Sequence, residues 1–203
     1  MKFEQFSEIY REIKSPVMDF SIHGDSGNSF VSFTELLKKE DAKSKKILRR
    51  YNIIYTIIAV FYFLLTIVNP DKDLNIQNRI AGGCYVIAFV IFVWMLRKMY
   101  KKIKKVNYAT SPKMFLEEAK IRFSFWTKLQ LPLIPFLILI NAGASISLTN
   151  YFGSLGIMNG LILFQLIFLV FMAFGFFMGK RNWSKNKKPI LNKIDEMLSG
   201  FED

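Results

Sequence analysis

Four stretches of this chain run without a charged side chain for long enough to cross a lipid bilayer, and this restricts the fold more than any other feature. They cover residues 51–68, 80–96, 129–148 and 156–178, with lengths of 18, 17, 20 and 23 residues. A hydrocarbon core of ~30 Å is crossed by about 20 helical residues, within a range of about 17–25. Inside hydrocarbon a segment must satisfy its own backbone donors and acceptors, which leaves helices and closed barrels. Barrel strands need only about 10 residues and alternate apolar with polar, and these blocks do not alternate. The expected fold class is therefore all-α: a polytopic membrane protein with four transmembrane helices arranged as two hairpins, carrying cytoplasmic helical extensions.

The charges between the blocks set an orientation. The chain has a formal net charge of +12 from 28 basic and 16 acidic residues. Segment 1–50 ends in Lys38, Lys39, Lys43, Lys45, Lys46, Arg49 and Arg50, segment 97–128 holds ten basic residues, and segment 179–203 opens with Lys180 and Arg181. The loop between the first two blocks has only Lys72 and Arg79, offset by Asp71 and Asp73, and loop 149–154 has no charge. The positive-inside rule then places both termini in the cytoplasm and the protein in the cytoplasmic (inner) membrane. Segment 1–50 contains no apolar h-region, so the first block is expected to act as an uncleaved anchor. The Lys, Ile, Asn and Phe bias reads like that of a protein from an AT-rich bacterial genome.

The cytoplasmic pieces are patterned as helices. Phe3, Phe6, Tyr10 and Ile13 recur at helical spacing and form one apolar face, which Ser15-Pro16 ends. Residues 19–30, with His23, read as a polar loop, and Ser32 with Glu35 as a capping box opening the next helix. Helix two is expected to continue to about Lys105. Ser111 reads as an N-cap with Pro112 behind it, opening an amphipathic helix over 112–128. Pro132 and Pro135 are expected to kink the entry to the third span. A last amphipathic helix opens at Pro189 and closes at Gly200.

Several features could carry chemistry. No Asp, Glu, Lys, Arg or His lies inside a span, which argues against a proton relay or an intramembrane protease. Asn141 lies ~18 Å from the inner start of span three and Gln165 ~14 Å below the outer start of span four, at 1.5 Å per residue. In a ~30 Å core those depths nearly match, and an interhelical Asn141–Gln165 hydrogen bond is expected. Gly156 with Gly160, Gly175 with Gly179, and Gly143 on span three supply small faces for helix packing within a monomer or in a homodimer. Lys45, Lys46, Arg49, Arg50, Lys101, Lys102, Lys104 and Lys105 adjoin the spans and suit anionic lipid headgroups. Phe3, Phe6, Tyr10, Ile13 and His23 are the candidate contacts to a protein partner.

Other features exclude rather than suggest. One cysteine, Cys84, and one histidine, His23, permit neither a disulfide within the chain nor a zinc site. Gly24-Asp25-Ser26-Gly27 echoes a serine-protease nucleophile loop, but nothing completes a triad. The sequon Asn182-Trp183-Ser184 falls on the cytoplasmic side. Glu117 and Glu118, the nearest carboxylates to a membrane interface, suit the start of a helix. No recognition element for nucleic acid is visible, and no catalytic residue, metal site or cofactor is expected. The function read from the sequence is a non-enzymatic, membrane-anchored regulator or scaffold that docks a partner through its cytoplasmic helices. The alternative is a small oligomeric transporter or channel, lined by Asn141, Ser145, Ser147, Asn159 and Gln165.

Overall fold

The computed structural model describes residues 26–70, 75–108, 110–149 and 156–201, with side chains from Phe30 onward. Among the described residues the protein is all-helical. Helix α1 (Ser26–Phe63) ends in a π-helical turn at Leu64–Val68, followed by α2 (Ile76–Lys104), α3 (Pro112–Phe123), a 3-10 turn at Lys128–Gln130, α4 (Leu133–Leu148), α5 (Ile157–Asn186) and α6 (Lys188–Ser199). Three helices are long and apolar enough to cross a membrane, and the number becomes four if the bent pair Pro112–Gln130 and Leu133–Leu148 is one span.

The chain divides into two compact units, Met1–Asp41 and Ala42–Asp203. In the first, Phe33, Leu37 and Asp41 are buried at four-residue intervals along α1. Helix α1 starts at Ser26, inside the expected polar loop, so Ser32 and Glu35 sit within a helix rather than capping one. Polar residues cost well under 1 kcal/mol each in a helix that can propagate into a long apolar segment, and Thr34 returns its hydroxyl hydrogen bond to the Phe30 carbonyl.

The second unit is built around α2. Its inner face supplies Met95 and Leu96, which pack with Leu48 of α1 and with Tyr55, Phe92, Met99, Tyr100, Ile103 and Leu133. Higher in the bundle the filling is aromatic. Tyr55 meets Phe92 edge-on at 4.7 Å, and Phe92 stacks on Phe136 of α4 at 4.7 Å. Tyr62 lies 5.3 Å from Tyr85, and Phe89 lies 6.2 Å from Phe136. Such pairs add roughly 0.5–1.5 kcal/mol each beyond area burial. Most of the large apolar side chains of α5, and most of those of α1 from Ile53 to Val60, stay exposed.

At the top of the first hairpin the side chain of Thr66, in the π-helical turn, fills the space beside Gly82 of α2, where any Cβ would collide with it. Gly82→Val will therefore lower the thermal unfolding midpoint of the detergent-solubilised protein, by the equivalent of about 1–3 kcal/mol for an overpacked site. Gly83→Ala, facing open space, will not lower it.

The third span departs most from expectation. The helix after Ser111 stops at Phe123 rather than near residue 128, and Ser111 makes no side-chain cap hydrogen bond. The chain then bends by 43° before α4, which has 16 residues in place of the expected 20. The bend has a local cause. Thr127 and Gln130 form a capping box, the Thr127 amide donating to the Gln130 Oε1 at 3.1 Å, so the helical direction is reset here. The kink expected at Pro132 and Pro135 is present: both fall at the new helix start, where their missing donors cost nothing. At the other end, α6 closes before Gly200 with Gly200 at φ −69°, so this position makes no use of a left-handed glycine.

Candidate functional site

Two places in the second unit gather polar or charged side chains around packed helices. The first lies between α4 and α5. Asn141 Nδ2 donates to Gln165 Oε1 at 2.9 Å, and Gln165 Nε2 donates back to Asn141 Oδ1 at 2.9 Å. Ser145, one turn along α4, donates from Oγ to Asn141 Oδ1 at 3.1 Å and accepts from Gln165 Nε2 at 3.0 Å. The cluster closes on itself, each member bonded to both others. Two amides and a hydroxyl in apolar surroundings are stabilised only when paired, so the cluster acts as a fastener between helices that otherwise share little surface. On the other side of α4, Ser147 lies beside the Tyr85 side chain of α2.

The second place is at the end of the bundle that carries the basic segments. Helix α6 lays Ile194 against α3, whose Phe115, Leu116, Ala119 and Phe123 are buried. Leu116 and Ile194 are both 0% exposed. Lys120 of α3 meets Asp195 of α6 at 2.8 Å. Trp183, near the end of α5, donates its indole N–H to the Phe123 carbonyl at 2.8 Å and packs 5.4 Å from Phe125, which meets Phe176 of α5 edge-on at 5.5 Å. Lys187 Nζ sits over the Phe123 ring at 4.8 Å. Arg122 is almost wholly buried, with its guanidinium 3.8 Å from Glu118 and over the Phe115 ring. The clamp joins the connecting segment to the two C-terminal helices.

The structure sorts the remaining candidates. Gly143 is buried against α2, beside Tyr85 and the Ala81 carbonyl, and not against α5. Gly160 is buried on α5. Gly156 precedes α5 with φ +74° and open space around it. Gly175 and Gly179 face open space too, so this G-x-x-x-G packs nothing within the described monomer. Asn159 is exposed, apart from the closed polar cluster. Lys46, Arg49, Arg50, Lys101, Lys102, Lys104 and Lys105 are exposed, while Lys45 is half-buried with its Nζ 6.0 Å from the Tyr100 ring. Phe3, Phe6, Tyr10, Ile13 and His23 lie outside the described residues.

Sequence reasoning missed the Trp183 bond to Phe123, because it joins residues 60 positions apart. It also missed Lys98, whose Nζ lies 3.8 Å over the Trp94 ring. Here a signal existed: an aromatic and a cation at i and i+4 on one helix face. Among the described residues no three His, Cys, Asp or Glu side chains come together as a metal site would need. The chain matches no family model, no curated protein and no solved structure.

Proposed function

We propose that the chain is a four-span protein of the cytoplasmic membrane, with both termini inside, that serves as a non-enzymatic anchor and docks a partner protein through its cytoplasmic helices. The single observation behind this reading is the α3–α6 clamp, a folded helical unit with its own apolar core, joined to the spans by Trp183. A unit of this kind holds a defined surface at the membrane, and two large apolar side chains two turns apart on one face of α3, Met114 and Ile121, remain exposed. The residues that would line a transport path favour the anchor over a channel. Asn141, Ser145 and Gln165 are bonded to one another, Ser147 lies beside Tyr85 of α2, and Asn159 is elsewhere.

Charge parity supports four spans over three. If α4 entered and left on one side, α5 would carry Lys180, Arg181, Lys185, Lys187 and Lys188 to the face opposite the basic segment 97–128. That arrangement runs against the positive-inside rule. In a Cys84→Ser background, Ser154→Cys on intact cells will react with a membrane-impermeant maleimide, and Ser184→Cys will react only after lysis. Labelling of Ser184→Cys on intact cells would remove the four-span reading.

The docking reading is tested by crosslinking in native membranes followed by mass spectrometry. A partner protein joined to residues within 97–128 or 179–203, and lost in Met114→Arg/Ile121→Arg, is the expected result. Recovery of this chain alone would turn the reading toward a homo-oligomer.

A further inference from the structure

The lower end of α2 carries more than a count of positive charges. Trp94, Lys98, Lys101, Lys102 and Lys105 follow one another at intervals of four, three, one and three residues. At 3.6 residues per turn this places all five within about 100° of arc around the helix. The opposite arc holds Phe92, Leu96, Met99, Tyr100 and Ile103, residues packed in the bundle core, and the buried Met95 borders the stripe beside Lys102. The stripe therefore faces away from this packed side of α2. Trp94 is half exposed, and the four lysines are exposed. Helix α2 has no acidic residue to neutralise them.

The direction of the side chains matters as much as their azimuth. Helical side chains lean toward the N-terminus of their own helix, and the N-terminal part of α2 is its apolar span. The lysines lean back toward hydrocarbon, as Lys98 shows by reaching up to the Trp94 ring at 3.8 Å. Trp is the residue of the membrane–water boundary, and Lys105 lies about 16 Å of helix axis below Trp94. The ladder thus extends from the boundary through the depth of a headgroup layer. Positive-inside topology and the helix dipole ask only for cations near this end. Neither asks that four lysines share one outward face beneath an exposed tryptophan.

We infer that Trp94, Lys98, Lys101, Lys102 and Lys105 form a lipid-facing site on α2 that binds the phosphate groups of anionic lipids. Trp94 marks the depth of the boundary, and the ammonium groups engage phosphodiesters from successive turns. Arg97 and Lys104 stand off this face and take no part in it.

The test uses the full-length protein reconstituted in phosphatidylcholine vesicles, with spin-labelled phosphatidylglycerol and spin-labelled phosphatidylcholine as probes of the motionally restricted lipid shell. The wild type will prefer phosphatidylglycerol, and the preference will weaken in high salt. Each lysine near the surface contributes about fivefold in affinity. The variant K98Q/K101Q/K102Q/K105Q will therefore lose most of the preference, by about tenfold or more at the site. The charge-matched variant R97Q/K104Q/K185Q/K188Q will keep it. All eight positions are exposed, and unchanged thermal unfolding midpoints will show that both variants are folded. An equal loss in the two variants would overturn the site in favour of bulk charge, and so would an undiminished preference in the first.

Discussion

Ile194→Asp will free the C-terminal helix from α3 while the membrane-embedded helices keep their packing. Ile194 is 0% exposed on a helix that packs against α3, where Leu116 is also 0% exposed and Phe115, Ala119 and Phe123 are buried. Truncating a buried isoleucine costs about 2–5 kcal/mol, and a carboxylate in the same space adds a desolvation cost. Helix α6 has 12 residues, a length at which an isolated helix is marginal in water. Its order therefore depends on docking, and losing the anchor will melt it. The Lys120–Asp195 ion pair will not hold it. Both side chains are about half exposed, and an exposed pair contributes roughly 0–1 kcal/mol. Hydrogen–deuterium exchange is the direct measurement: protection over 188–199 will collapse in Ile194→Asp, and protection over 133–148 will persist. Asp195→Ala will change neither. If Ile194→Asp left α6 protected, the apolar docking of α6 on α3 would be wrong. Under the anchor reading, the same variant will also lose the crosslinked partner.

The parts of this fold that could be read from the sequence are those governed by one-dimensional physics. Block length fixes which segments can cross hydrocarbon, and the periodicity of Ile190, Leu191, Ile194, Met197 and Leu198 fixes that α6 has one apolar face. Depth was also readable, because a helix rises by a constant amount per residue; counting from the two span ends put Asn141 and Gln165 at one level, and the structure has them bonded. Azimuth was not readable. Gly143 is two residues from Asn141, yet it packs on α2 while Asn141 faces α5. Small residues announce close approach without saying to which neighbour. The break at 124–132 was readable only in part: Pro132 and Pro135 announced a kink at the entry to this span, but not the stop at Phe123. Thr127 and Gln130 form a capping box inside what composition alone presents as the approach to an apolar span. A local hydrogen-bond pair there outweighed the periodic pattern. Trp183 needed the tertiary fold to bring it to Phe123.

The second large effect will come from the polar cluster between α4 and α5, and its sign depends on how many members are removed. Gln165→Leu takes away the acceptor of Asn141 Nδ2 and the donor to both Asn141 Oδ1 and Ser145 Oγ. The orphaned amide then sits in apolar surroundings, where an unsatisfied polar group costs about 1–3 kcal/mol in protein and more in hydrocarbon. Asn141→Leu leaves Gln165 with only Ser145. Removing both amides leaves only the Ser145 hydroxyl, which can return its bond to its own helix. The double variant Asn141→Leu/Gln165→Leu will therefore be more stable than either single one, and the coupling energy will lie at or above the roughly 0.6–1.7 kcal/mol found for interhelical hydrogen bonds in membranes. Denaturation by sodium dodecyl sulfate, followed for all four proteins, supplies that cycle. A second readout follows from the same cause. A lone amide on a lipid-facing helix finds its partner on another copy, because water is absent. Gln165→Leu will then raise the yield of crosslinked dimer over wild type, and the double variant will return it to the starting level. Strict additivity of the two substitutions would show that the bonded pair does not hold α5 to the bundle. A dimer yield that rises in the double variant as well would assign the association to the new leucines rather than to the stranded amide.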